Sequence, residues 1–228
     1  MQTADTPFST NVDPGNIKIN KLFITPLAEI AHPQAETLNA ALKAIIQARM
    51  QADQSGSQRS NEGGWQSTAD FADWAGEPGQ ALLKFAMAFA TQLTAQHSNE
   101  RGLFEPQFEW QYNAWANVNE TGASNALHGH AGAYWSGVYW VDDGGRTEDP
   151  AVGGDLEFPD PRGMIASVYN PALRMRVEGC IAAGYSSTFA ARSGTLIMFP
   201  SWLMHSVRRF NGQRPRISIA FNFGVANL

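Results

Sequence analysis

The residues of this chain best equipped for chemistry are three of its five histidines and a late Arg-x-Ser step. His128 and His130 stand two apart in "LHGHAG", and His205 follows the apolar run "TLIMFPSWLM". In an extended segment positions i and i+2 project to one face, so both imidazoles can reach a single ion. A His-x-His pair with a distant third histidine is metal-ligand spacing. Taken alone, the pair fits two surface or core histidines equally well, and His205 fits a rim histidine after a buried strand. Eleven residues beyond His205, Arg216 and Ser218 share one face of a strand-like run whose other face holds Ile217, Ile219 and Phe221. A guanidinium suits two-pronged binding of a carboxylate, and a neighbouring hydroxyl can add a further donor. The polar face of that run therefore meets either water or a polar-lined pocket. His32 and His97, beside expected helix ends, read as ordinary surface residues.

The elements that must position these groups are legible from periodicity. Residues 1–16, rich in Thr, Ser, Asp and Pro, read as a flexible lead-in, and 17–228 as one domain. "IKINKLFITPL" predicts a strand stopped at Pro26. After Pro33, apolar residues at Leu38, Ala41, Leu42, Ile45 and Ile46 follow the 3.6-residue period of an amphipathic helix. A second helix follows Pro78, with Leu82, Phe85, Ala86, Phe89 and Leu93 on one face. From residue 106 the texture changes to alternation, with Phe108, Trp110, Tyr112 and Ala114 on one side. Further strand-like runs cover 134–141, 154–158, 164–169, 173–178, 187–191, 195–199 and 215–225. Two helices followed by about eight short strands predict helices packed on an antiparallel sandwich or barrel, with its core at about 105–228, rather than βαβ units.

Bulk properties exclude several classes. A net charge of −5 leaves no basic stripe to neutralise phosphates, which argues against non-specific nucleic-acid binding. The single cysteine, Cys180, permits no intrachain disulfide and no cysteine-based zinc site. No run of 18 apolar residues spans a membrane, and the N-terminus lacks a signal-peptide pattern. These features predict a cytoplasmic protein.

Taken in order, His-x-His, a distal His and Arg-x-Ser resemble the signature of the iron(II)- and 2-oxoglutarate-dependent oxygenases. The chain is similar in particular to a subgroup of small microbial and phage members. That similarity is carried by "LFITPL", "GGWQS", "HGHAGAYWSGVYW", "FPDPR", "GTLIMFPSWLMHSV" and "RPRISIAFN", and runs from about residue 20 to 225. It implies a double-stranded β-helix, the cupin-like jelly roll, with Fe(II) at its mouth. His205 would be the distal ligand and His128 the first, and Arg216 and Ser218 would hold the far carboxylate of 2-oxoglutarate. By strand parity Ser136 and Trp140 would face the cosubstrate. The reaction implied is hydroxylation of an unactivated C–H bond by O2, with release of succinate and CO2. Where the general signature has a carboxylate, this chain has His130. Either His128, His130 and His205 form an all-histidine triad, or two histidines are joined by Asp155, Glu157 or Asp160. The triad is favoured here because strand neighbours need no special loop geometry.

Two other classes stay in view: a three-histidine cupin-type dioxygenase that does not use 2-oxoglutarate, and a non-catalytic barrel that binds a ligand. Succinate production separates the first from the implied activity. The substrate, whether a small molecule or a peptide, is not indicated by any segment.

Overall fold

The computed structural model describes residues 13–20, 22–163 and 185–226. Thirteen strands and three α-helices are defined among them. In chain order they are β1 (Ala28–Ala31), α1 (Ala35–Ala52), β2 (Asn61–Glu62), β3 (Trp65–Gln66), α2 (Phe71–Trp74) and α3 (Gly76–Gln92). Then come β4 (Gln96–Ser98), β5 (Gly102–Phe104), β6 (Gln111–Asn119), β7 (Ser124–His128) and β8 (Trp135–Asp142). The last are β9 (Leu156–Pro159), β10 (Ser186–Phe189), β11 (Thr195–Pro200), β12 (His205–Val207) and β13 (Arg216–Gly224).

Two antiparallel sheets face one another as a jelly roll. The larger has the order β1-β11-β8-β13-β6-β3 and the smaller β10-β9-β12-β7-β2. Chain neighbours β11 and β12 sit in opposite sheets, as do β6 and β7, so the chain repeatedly crosses the sandwich. β13 lies at the centre of the larger sheet, in register with β6 from Arg216↔Asn119 to Gly224↔Gln111. Its alternation separates two environments. Ile217, Ile219, Phe221 and Phe223 join Leu42 and Ile46 of α1 and Leu82, Leu83 and Ala86 of α3 in one core outside the barrel. Val138, Trp140, Leu156, Phe158, Ile197 and Phe199 form a second core between the sheets. The helices follow from spacing: Leu38, Leu42 and Ile46 stand four apart on α1, one stripe against the sheet. No helix among the described residues is long and apolar enough to cross a membrane.

Two expected elements differ. The strand expected over 17–27 instead begins at Ala28, where backbone pairing with β11 becomes available. Residues ahead of it lack a partner strand, and Phe23, at φ 56°, interrupts any extended run. The strand expected from residue 106 starts at Gln111, after Phe108 and Trp110 pack edge to face at 4.8 Å. The runs expected at 164–169 and 173–178 lie outside the described residues. Periodicity also missed β7 and β12, which at five and three residues carry too few apolar side chains to show alternation.

Candidate active site

The short strands that escaped sequence reading are the ones that assemble the histidines. β7 and β12 pair with His128 directly opposite His205. Their ring centroids are 4.4 Å apart, and His130 adds contacts of 5.0 Å to His128 and 5.1 Å to His205. One ring nitrogen from each lies within 4.8 Å of those of the other two, close enough to converge on one ion. His130 completes the cluster. It lies beyond the end of β7, where its backbone N–H donates to the Ser201 carbonyl at 3.0 Å and Gly132, at φ 91°, reverses the chain.

Two of the rings are oriented by the backbone. Nδ1–H of His128 donates to the Ala126 carbonyl at 2.7 Å, and that of His205 to the Leu203 carbonyl at 3.0 Å. A carbonyl can only accept, so the proton sits on Nδ1 and the Nε2 lone pair is left for a metal. Burial pushes His205 down to about 3 and His130 down to about 4, with the neighbouring histidines adding to the effect. Both are therefore neutral at pH 7, as ligation requires. His32 and His97 stand apart from this cluster, His32 against the Phe85 ring and His97 on β4.

The carboxylates weighed as ligands are engaged elsewhere. Asp155 takes two hydrogen bonds from Arg146, at 2.7 and 3.1 Å. Glu157 takes two from Arg208 and one from Ser186, and the Arg208 guanidinium holds its pKa below the ordinary value. Asp160 is paired with Arg162, which lowers its pKa in the same way. None belongs to the cluster that can share an ion.

At the other end of the same cavity lies Arg216, 1% exposed. Its Nη1 donates to Asn119 Oδ1 at 3.3 Å, and its Nε is buried without a partner. No carboxylate among the described residues pairs with it within 4.0 Å; burial lowers its pKa to about 10, although Asp155 and Asp143 pull it upward from a distance. Gly154, at φ 75°, makes room for it: a Cβ there would stand 3.1 Å from Arg216 Cδ. Ser218 lines the cavity two residues on, opposite Trp140 on β8. Ser136 also lines it, but its hydroxyl donates to Asn222 Oδ1 at 2.8 Å. Trp140 packs into the inter-sheet core, with an indole N–H that has no partner. Sequence reasoning passed over Asn117 and Asn119, although their alternation with Ala116 and Val118 was the available signal.

A buried guanidinium with unsatisfied donors calls for an anion that accepts several hydrogen bonds, which a carboxylate does. A histidine cluster in which the Nε2 atoms of His128 and His205 are left free calls for a transition metal. Both sit inside one jelly roll, the arrangement of a metal-dependent oxygenase that uses an oxo-acid cosubstrate.

The comparisons agree. The family model described as "Putative 2OG-Fe(II) oxygenase" matches residues 113–222, from β6 to β13. Over that segment, just under half of its length, the chain matches the 2OG-Fe(II) oxygenases, enzymes that use non-haem iron with 2-oxoglutarate and O2. No curated protein sequence matches it. Among solved structures it is similar to a prolyl-4-hydroxylase from Pseudomonas putida (TM-score 0.52, 16% identity, 88% of this chain and 93% of that one). It is also similar to a prolyl hydroxylase from Trichoplax adhaerens crystallised with a peptide fragment (TM-score 0.58, 10% identity, 87% and 83%). A third is HygX from Streptomyces hygroscopicus with nickel and 2-oxoglutarate bound (TM-score 0.56, 11% identity, 89% and 83%). At these identities the likeness is one of fold.

Proposed function

We propose that His128, His130 and His205 hold Fe(II), that Arg216 and Ser218 hold the far carboxylate of 2-oxoglutarate, and that the enzyme hydroxylates a C–H bond of a small-molecule or peptide substrate. When bound, the iron and oxo acid together supply O2 activation, with release of succinate and CO2. The chain's own part is binding, orientation and exclusion of water. The Ala126 and Leu203 carbonyls fix the tautomers of His128 and His205, so Nε2 faces the metal. Arg216 sets the depth and direction of the cosubstrate by a charge-assisted contact that no protein carboxylate competes for. Ser218, on the same strand face, adds a hydroxyl donor. Ser136, its proton committed to Asn222, supports the wall beside them rather than supplying a third donor. Val138, Leu156 and Phe199 give the cavity a dry side.

The observation that carries this reading is the buried Arg216, without a carboxylate partner among the described residues, facing the histidine cluster across one cavity. It also separates the reading from a three-histidine dioxygenase that needs no oxo acid, which has no use for such a group. The test is anaerobic addition of Fe(II) and then 2-oxoglutarate to metal-free protein, followed by visible absorbance and, after air is admitted, by succinate. A visible charge-transfer band that appears only with the oxo acid and is lost in Arg216→Ala is the expected result. Iron bound at one equivalent, with no band and no succinate, would overturn the cosubstrate assignment.

A further inference from the structure

The cavity has two unlike walls. One is apolar, built from Val138, Leu156 and Phe199; the other carries Ser60, Trp115, Asn117 and Asn125. The second wall is polar yet uncharged. Arg216 is the one ionised side chain among the described residues lining the whole cavity, the histidines aside. It is also remote from this wall's outer end. Trp115 stands opposite Ala220, four residues along β13 from Arg216, which is about 13 Å of strand.

The polar groups here are not consumed by one another. The Trp115 ring lies 5.6 Å from that of His130, and its indole N–H has no hydrogen-bond partner among the described residues. Asn125 spends one amide proton on Ser60 Oγ, at a long 3.3 Å, and leaves its carbonyl free. The carboxamide of Asn117, opposite Ser218, is unpaired as well. Free donors and a free acceptor thus stand beside the histidine cluster, with a flat aromatic surface between them.

Resting on the proposed metal and cosubstrate assignment, we infer that this wall is the substrate subsite and that it takes an uncharged amide, a peptide main-chain unit or a carboxamide. An amide offers the carbonyl that the Trp115 N–H lacks and the N–H that the Asn125 carbonyl lacks. Its carbon chain rests on the Trp115 ring. A free amino acid, by contrast, would bring an ammonium and a carboxylate to a wall with no counter-charge, where each loses hydration without a partner.

The test is calorimetric titration of protein loaded with Zn(II) and 2-oxoglutarate, which binds without turning over. The probes are the amino acids as N-acetyl N-methylamides and the same amino acids free. At least one capped probe is expected to bind about tenfold or more tightly than its free counterpart, the equivalent of one hydrogen bond gained. Trp115→Phe and Asn125→Ala should each weaken that probe by about tenfold. The preceding 2-oxoglutarate titration reports on the site itself. If the oxo acid does not bind, the functional assignment fails. If it binds, but free amino acids bind as well as the capped ones or no capped probe binds at millimolar concentration (about the weak limit of a specific site), the amide subsite is overturned and the assignment stands.

Discussion

Replacing Arg216 with methionine is expected to stabilise the metal-free protein while abolishing its response to 2-oxoglutarate. The side chain is 1% exposed, its Nε is unpartnered, and its one hydrogen bond is the 3.3 Å contact to Asn119. Burial takes its pKa from 12.5 to about 10. At 1.36 kcal/mol per pH unit this is about 3 kcal/mol of unrelieved desolvation carried by the charged form. Methionine fills much of the same space without charge. It gives up one long hydrogen bond, about 1 kcal/mol, and some packing. The balance is a gain of about 1–2 kcal/mol, or roughly 2–8 °C in Tm for a chain of this size. Wild-type protein with zinc should in turn gain about 2.7 kcal/mol when 2-oxoglutarate is present at a hundred times its Kd, and the variant nothing. Thermal melts of both proteins, with and without zinc and the oxo acid, read all of this. A variant that melts below wild type when metal-free, yet is still raised by 2-oxoglutarate, would refute the reasoning.

Four further outcomes are expected. Ser218→Ala should raise the KM for 2-oxoglutarate by about 10- to 100-fold through loss of one hydrogen bond to a charged group, with kcat little changed in succinate assays. His205→Ala should remove tight binding of Fe(II) or Zn(II) in a competition titration, whereas Asp155→Asn should leave metal affinity intact. The Asp155 change should instead destabilise the fold by about 2 kcal/mol, because Arg146 loses its carboxylate partner in a largely buried pair. The metal-free protein should lose stability on acidification. His205 and His130 take up protons near 6.5 when unfolded but only near 3 and 4 when folded, so their contribution is full above about pH 6.5. It drains away as pH falls toward 4 and 3, and zinc should move the acid transition lower, as urea melts from pH 7 to 4 would record.

What the sequence disclosed tracks how much of each element repeats. α1, α3, β8, β11 and β13 are long enough for their apolar period to stand out, and all appear close to where that period puts them. The alternation of β13 also posed the right question about its polar face, because a strand whose two faces are both buried must point Arg216 and Ser218 at something other than water. β7 and β12 were invisible because three to five residues contain no period, and pairing across a sandwich is not written in either segment. His130 shows the same limit differently. The pair "HGH" suggested a shared strand face, but only His128 belongs to β7, and the backbone N–H of the second histidine is held by the Ser201 carbonyl, 71 residues away. The engagement of Asp155, Glu157 and Asp160 with arginines was equally beyond a linear reading, since two of those partners lie 9 and 51 residues from their acids.

Arg216 and the histidine cluster share one physical character: each is incomplete in the protein alone. Arg216 keeps a charge in a place that lowers its pKa, while the acids able to neutralise it are held by Arg146 or by their own loop, as Asp143 is by Gly145 N–H. His130 and His205 are kept neutral by burial, their lone pairs unspent. Neither feature helps the fold; a methionine at 216 would avoid the desolvation cost that Arg216 carries. Their common orientation toward one cavity is what separates a binding site from an accident of packing. A carboxylate would satisfy the first and a divalent metal the second. On the proposed assignment, metal and cosubstrate would bind as a coupled pair, each raising the affinity for the other by the same factor.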